Sequence, residues 1–122
     1  MKQKKILIVD DERGFTETLC EYLRGAGFEA DAAHDFDQAV NVFKRKRPPV
    51  VLLDFNMPVV NGDKFLPVFQ SIDPNVRVIV ITGYTAMDVE EQFKGLGYFA
   101  FFEKGSLSLE SLKKTVEEAL AE

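Results

Sequence analysis

The 122-residue sequence lacks the features that mark several large classes of protein. No apolar run approaches the roughly 18 residues that a membrane span requires, and only four apolar residues follow the N-terminal lysines, too few for a signal-peptide core. The single cysteine, Cys20, excludes an internal disulfide bond and fits a reducing compartment. We therefore expect a cytoplasmic protein without a membrane segment.

Basic residues are also in the minority. Fifteen lysines and arginines stand against twenty acidic residues, which gives a formal net charge of −5. Recognition of nucleic acid needs a basic face, so direct nucleic-acid binding by this chain is not expected. One basic cluster is formed by Lys44, Arg45, Lys46 and Arg47. We interpret it as lying at the C-terminal end of a helix, where positive charges interact favourably with the helix dipole.

The rest of the composition indicates one folded domain. Hydrophobic residues make up 46% of the chain and charged residues 29%, which excludes disorder by composition. No segment has the composition of a linker, a low-complexity tract or an internal repeat. We therefore predict a single domain over residues 1–122.

Short apolar runs alternate along the chain with helical patterns. Runs at residues 6–9, 50–53, 76–81 and 98–102 predict strands, and a weaker alternating run at 28–33 predicts an edge strand. Between them apolar residues recur at helical spacing, although Pro67 weakens the third helix, and the fourth is carried by Val89, Phe93 and Leu96. Five strands alternating with five helices predict an α/β fold with a doubly wound, five-stranded parallel sheet in three layers.

Polar residues follow four of these strands. Asp10 and Asp11 come after the first strand, Asp54 after the third, Thr82 after the fourth and Lys104 just past the fifth. Ligands of such sheets bind at the carboxyl ends of the strands, and three neighbouring carboxylates need a counter-charge. Mg²⁺ meets that need and leaves coordination open to phosphate oxygens, so the pattern predicts phosphoryl transfer, with a carboxylate as a candidate nucleophile.

A simpler interpretation of the same residues stays open at this point. An Asp-Asp pair after a strand often caps the next helix, and a lone lysine after a strand is usually a solvated charge. The occurrence of all five residues at one sheet edge favours a functional site over this alternative.

These residues also lie in segments that carry a family resemblance. Residues 6–12, 54–62 and 81–83, together with Lys104, match in order and spacing, and the segment from Asp54 to Gly62 is specific. From end to end the chain resembles the receiver domain of two-component response regulators, which implies a flavodoxin-like (βα)5 sandwich. The resemblance also implies a phosphorylation-switched signalling domain that is not an enzyme of bulk turnover.

The resemblance assigns the phosphoryl and metal sites. Asp54 is similar to the phosphoacceptor, which receives its phosphoryl group from a sensor histidine kinase or a phosphotransfer protein. Asp10, Asp11 and Asp54, with the backbone carbonyl of Asn56, correspond to the ligands of Mg²⁺, for which Mn²⁺ is a substitute. Lys104 corresponds to the phosphate-binding lysine.

The resemblance also implies a switch. Thr82 corresponds to the hydroxyl that moves toward the phosphoryl group, and Phe101 to the aromatic residue that turns into the vacated space. The change would reach the surface formed by the predicted fourth helix, fifth strand and fifth helix, where a downstream effector or a second copy of the chain would dock. In three places the chain departs from the family: Gly105 replaces the usual proline after the lysine, Phe101 lacks a hydroxyl, and Tyr98 and Phe99 replace smaller residues.

Two other functions are weighed against this one. A pseudo-receiver would keep the fold as an interaction module without using phosphate, and Gly105 is the feature that favours it. A phosphatase of the haloacid-dehalogenase type uses a similar residue set but places a general acid where this chain has Asn56. Whether an output domain follows Glu122 in a longer protein stays open.

Overall fold

The computed structural model describes residues 3–55, 62–83 and 95–121. Within them a five-stranded parallel sheet has the order β2-β1-β3-β4-β5. The strands are β1 (Lys5–Val9), β2 (Glu29–Ala33), β3 (Val50–Asp54), β4 (Arg77–Thr82) and β5 (Ala100–Glu103). All five predicted strands are present, and the weak alternating run forms an edge strand as expected.

Four α-helices accompany the sheet in the described part of the chain. They are α1 (Arg13–Gly25), α2 (Phe36–Lys46), α3 (Gly62–Ile72) and α4 (Leu109–Leu120), and a 3₁₀-helix spans Lys104–Ser106. Helix α4 corresponds to the fifth helix predicted from the sequence. Val89 and Phe93, which carry the predicted fourth helix, lie outside the described residues, and Leu96 lies in a non-helical segment.

The sheet separates two hydrophobic cores. Alternate side chains of β1, β3 and β4 point to opposite faces, because successive residues of a strand do so. One core packs α2 and α3 against Leu7, Val9, Val51, Leu53, Val78 and Val80. The other packs α1 and α4 against Ile6, Ile8, Val50, Leu52, Ile79 and Ile81. The predicted doubly wound, three-layer α/β fold is therefore confirmed.

The basic cluster at the end of α2 has structural partners. The Lys46 ammonium lies 3.1 Å from the Asp31 carboxylate on the edge strand β2. Arg47 ends the helix in the left-handed conformation, with φ of 48°, and its guanidinium donates a hydrogen bond of 3.1 Å to the Ile72 carbonyl at the end of α3. These contacts join α2 to its neighbours.

Within the described residues no helix is long and apolar enough to cross a membrane.

Pro67 does not break α3, although a proline at this position predicts a weakened helix. A proline in a helix interior removes one hydrogen bond and is unfavourable by about 3 kcal/mol. Its ring is exposed, whereas Phe65, Leu66 and Phe69 on the same helix are fully buried. Burial of these three side chains offsets the weakened helix, since tertiary packing outweighs local propensity.

The aromatic run before and within β5 divides between the two cores. Tyr98 and Phe101 pack toward the core with α2 and α3, and their ring centroids are 5.8 Å apart. Phe99 and Phe102 pack toward the other core. All four rings are partly buried, so packing accounts for part of this run, and its use as a docking patch stays a prediction.

The contact between α2 and α3 gives a test of the core. Phe43 and Phe69 are fully buried, with ring centroids 4.9 Å apart. We expect Phe69→Ala to lower the free energy of unfolding by about 3–5 kcal/mol, because it leaves a cavity, as measured by urea denaturation. Val68→Ala, at a half-buried position of the same helix, should have less than half that effect. Equal losses in the two variants would contradict this packing.

Candidate functional site

The register of the central strands places Asp10 beside Asp54. Val9 pairs with Leu53, so the next residues, Asp10 and Asp54, lie next to each other at the carboxyl edge of the sheet. Both carboxylates are buried, with 1% and 2% of the residue exposed, whereas Asp11 is exposed. Carboxylate oxygens of Asp10, Asp11 and Asp54 lie within 4.8 Å of one another.

Asp10 is held firmly from several sides. Its backbone N–H donates to the Ala33 carbonyl at 3.0 Å, and its Oδ1 accepts a 2.9 Å hydrogen bond from the Glu12 backbone N–H. The Nδ1 atom of His34 lies 3.0 Å from the Asp10 carbonyl oxygen. The other carboxylate oxygen, Oδ2, is buried, and the Lys104 ammonium lies 2.8 Å from it. Asp10 is thus fixed in orientation with one oxygen available to a cation.

Lys104 brings a positive charge to this cluster. It begins the 3₁₀-helix after β5, and its ammonium lies 2.8 Å from Asp10 Oδ2 and 3.6 Å from Asp54 Oδ2. It also lies 2.6 Å from Glu12 Oε1 and 4.6 Å from the centroid of the Phe15 ring. A single ammonium therefore faces three carboxylates and the face of an aromatic ring, which attracts cations.

These surroundings shift the pKa of Lys104. Burial disfavours the charged ammonium and lowers the pKa, but the contacts with Asp10 and Glu12 and the charge of Asp54 outweigh burial, and the net pKa is raised above its usual range. The lysine is therefore fully charged at neutral pH. Its single charge does not balance Asp10, Asp54 and Glu12, which leaves the pocket negative.

The donor set fits a hard divalent cation. Mg²⁺ binds oxygen ligands, usually one or two carboxylates with waters and phosphate oxygens completing its shell. Three aspartate side chains converge here, and the buried Asp10 Oδ2 already lies against one cationic group, the Lys104 ammonium. Asp10, Asp11 and Asp54 are the residues that would hold such an ion. Asn56, whose carbonyl is a predicted ligand, lies outside the described residues.

Thr82 and Phe101 lie on the same face of the sheet. Thr82 ends β4 and is fully buried. Val80 pairs with Phe101 and Thr82 pairs with Glu103, so alternation puts the side chains of Thr82 and Phe101 on the face that carries α2 and α3. The structure thus brings the two predicted switch residues to neighbouring strands on one face.

Gly105 follows Lys104 where the family usually has proline. The described residues contain no cis peptide bond, so the Lys104–Gly105 bond is trans. The chain continues as a 3₁₀-helix, in which the Leu107 N–H donates to the Lys104 carbonyl at 3.3 Å. The ammonium still reaches the acidic pocket, so the loss of proline does not remove the lysine from the site.

Three residues at this site are not predicted from the sequence. Glu12 and Phe15 contact Lys104 directly, and His34 lies against the Asp10 carbonyl. Glu12 carried a usable signal, because an acid directly after Asp10 and Asp11 must lie near the same sheet edge. Phe15 has the helical spacing of an apolar stripe in α1, a pattern that does not by itself indicate contact with a cation.

Comparisons with known proteins agree with this geometry. The response regulator receiver domain family matches residues 6–117. Over 104 residues the chain is 36% identical to the sporulation initiation phosphotransferase F of Bacillus subtilis, covering 85% of this chain and 84% of that protein. It is also 35% identical over 83 residues to the DNA-binding response regulator MtrA of Mycobacterium tuberculosis, but spans only 36% of that protein's length.

Solved structures support the same assignment. The solution structure of the beryllofluoride-activated NtrC4 receiver domain dimer superposes with a TM-score of 0.89 at 32% identity, covering 98% of both chains. A CheY-like receiver domain from Methanospirillum hungatei superposes with a TM-score of 0.90 over 98% of this chain and 95% of its own, and at 22% identity this shows the fold alone.

The chain belongs to the response regulator receiver domain family. It is a signalling domain that is switched by phosphorylation, and the expected similarity to two-component receivers is confirmed. Membership implies a kinase or phosphotransfer partner and a downstream effector, and receiver domains generally bind Mg²⁺ at their acidic pocket.

The environment of Lys104 generates a test of the electrostatic balance. A raised pKa in the folded state adds stability that is complete below the usual lysine pKa of about 10.4 and is lost only as the pH rises through the folded-state pKa. We expect Lys104→Met to lower the free energy of unfolding by about 1–3 kcal/mol in metal-free buffer, because Asp10 and Asp54 lose their counter-charge. The decrease should be the same at pH 7 and pH 9.

Urea denaturation at the two pH values measures this difference. Lys113→Met is the matched control, since Lys113 forms a more exposed pair with Glu117 on α4 at 3.9 Å, worth at most about 0.5 kcal/mol. A Lys104 contribution that grows between pH 7 and pH 9 would contradict the raised pKa, because a lysine whose pKa is lower in the folded state than in the unfolded state gains stability as the pH rises.

Proposed function

We propose that Asp54 accepts the phosphoryl group in a reaction that depends on a divalent cation. The observation that carries this proposal is the convergence of Asp10, Asp11 and Asp54 with Lys104 at one sheet edge. Asp54 closes the central strand β3 and lies 3.6 Å from the lysine ammonium, which suits a carboxylate that becomes an acyl phosphate beside a cationic group.

The chemistry of the proposed step follows from these positions. An oxygen of the Asp54 carboxylate attacks phosphorus, the bond from phosphorus to the donor's nitrogen or acyl oxygen breaks, and its electron pair leaves with the donor. The Lys104 ammonium is placed to neutralise oxygens of the transferred group. Mg²⁺, when bound to Asp10, Asp11 and Asp54, would neutralise further charge on that group, and Mn²⁺ would substitute for it.

The switch is proposed to run through Thr82 and Phe101. A phosphoryl group adds about −1.5 to −2 charges and strong acceptor oxygens, so the buried Thr82 hydroxyl gains a hydrogen-bond acceptor. Phe101 lies on the same face of the neighbouring strand β5 and would turn into the space that Thr82 leaves. This change would bias the surface that includes β5 and α4, where an effector or a second copy of the chain would dock.

The proposed donor is a sensor histidine kinase or a phosphotransfer protein, in the cytoplasm. Catalysis is limited to the chain's own Asp54, because Asn56 occupies the position where haloacid-dehalogenase-type phosphatases carry a general acid. Neither direct nucleic-acid binding nor a membrane partner is proposed, in line with the acidic net charge. The pseudo-receiver alternative is not favoured, because Asp10, Asp11 and Asp54 converge and Lys104 contacts Asp10.

Intact mass spectrometry after incubation with acetyl phosphate tests the phosphoacceptor. We expect a gain of one phosphoryl group that requires Mg²⁺ and is absent in Asp54→Ala. Substituting Mn²⁺ should restore the gain, and a generic phosphomonoester should not be hydrolysed. An adduct that persists in Asp54→Ala would place the phosphoryl group elsewhere, and no adduct under conditions that retain acyl phosphates would favour the pseudo-receiver.

Thr82→Ala tests the switch separately from phosphorylation. Because Thr82 is proposed to respond to the phosphoryl group, the variant should still gain it on Asp54 but lose most of the response in β5. Backbone amide chemical shifts of Ala100–Glu103, recorded before and after phosphorylation, measure that response. Thr18→Ala, on the exposed side of α1, should respond like the wild type. Equal shift changes in Thr82→Ala and the wild type would refute this role.

A further inference from the structure

The Lys104 ammonium occupies the place that a divalent cation needs. It lies 2.8 Å from Asp10 Oδ2, a buried carboxylate oxygen. An ammonium and a metal ion cannot contact the same oxygen side by side without strong repulsion. Binding of the cation therefore requires Lys104 to move away from Asp10, and the affinity for the cation depends on where the displaced ammonium can go.

Glu12 offers that destination. Its carboxylate lies 2.6 Å from the Lys104 ammonium, closer than either buried aspartate. The Glu12 side chain is 65% exposed, whereas only 15% of the Lys104 side chain is exposed, so Glu12 lies at the mouth of the pocket. Its backbone N–H is bound to Asp10 Oδ1, which fixes its distance from the site, and the Phe15 ring, 4.6 Å from the ammonium, lies alongside.

We propose that Glu12 is a positioning residue that holds the Lys104 ammonium at the mouth of the pocket when a divalent cation binds to Asp10. This inference rests on the proposed function, since it takes Asp10, Asp11 and Asp54 as the cation ligands. Without Glu12, the carboxylates within 4 Å of the ammonium among the described residues are Asp10 and Asp54 themselves. Lys104 would then be retained by the ligands for which the cation competes.

The proposal predicts the sign of two effects on Mg²⁺ affinity. Glu12→Gln removes a nearby negative charge and also deprives Lys104 of its partner outside the pocket, and both changes weaken Mg²⁺ binding. In a Lys104→Ala background only the charge effect remains, because no ammonium competes with the cation. Lys104→Ala alone should strengthen Mg²⁺ binding for the same reason.

Isothermal titration of the unphosphorylated protein with MgCl₂ measures these affinities. We expect Glu12→Gln to raise the dissociation constant about three- to fivefold in the wild-type background and less than about twofold in Lys104→Ala. Glu17→Gln changes the net charge equally at another exposed position of α1 and should have little effect. Circular dichroism spectra should be unchanged, since Glu12 is largely exposed.

Nuclear magnetic resonance gives a second measurement, whose result would not change if Glu12 acted only through its charge. The ring current of Phe15 should shift the ε-methylene proton signals of Lys104 upfield. The loss of this upfield shift in Phe15→Leu would identify the Phe15 ring as its source. In the wild type the shift should persist at saturating Mg²⁺, because Lys104 stays beside Glu12. In Glu12→Gln it should be lost.

The outcomes separate this inference from the proposed function. If the wild type binds no Mg²⁺, the proposed cation site fails, and the inference fails with it. If the wild type binds Mg²⁺ but Glu12→Gln changes the affinity equally in both backgrounds, Glu12 acts only through its charge, and the inference is overturned while the proposed function stands.

Discussion

The repulsion between two buried carboxylates is the constraint on which this site depends. Asp10 and Asp54 are nearly inaccessible to solvent at adjacent strand ends, and two neighbouring negative charges in such a place repel each other and need a counter-charge. Lys104 supplies part of that compensation from the 3₁₀-helix that follows a third strand, β5. The parallel sheet makes this arrangement possible, because it brings the ends of strands that are distant in sequence to one edge.

Much of the fold was predictable because its signals are local. Apolar runs as long as a buried strand, separated by helical periodicity, identify each element without knowledge of its neighbours. The position of Asp10 and Asp54 followed directly, since each comes after such a run. Pro67 was the misleading local signal, and the burial of Phe65 and Phe69 on the same helix explains why α3 tolerates it.

The contacts of Lys104 were predictable only in part. Its place after β5 brings it to the correct edge, but the contact with Glu12 spans 92 residues of sequence, and no periodicity encodes which of several nearby acids a long side chain will approach. The ring of Phe15 was hidden for a similar reason, because an aromatic residue in an apolar stripe has the same pattern whether it contacts the core or a cation. The assignment of Thr82 and Phe101 as a switch stays a prediction.

The segment after Lys104 has a mechanical consequence. The ammonium-bearing residue and Ser108, whose hydroxyl accepts a hydrogen bond from the Ser111 N–H at the start of α4, are joined by three residues. Two of those residues belong to the 3₁₀-helix, which the Leu107 N–H closes onto the Lys104 carbonyl. Because this connection is short and internally hydrogen-bonded, its ends have little freedom to move independently. We therefore expect a backbone displacement at Lys104 to reach the first turn of α4 through this short connection, without passing through the sheet.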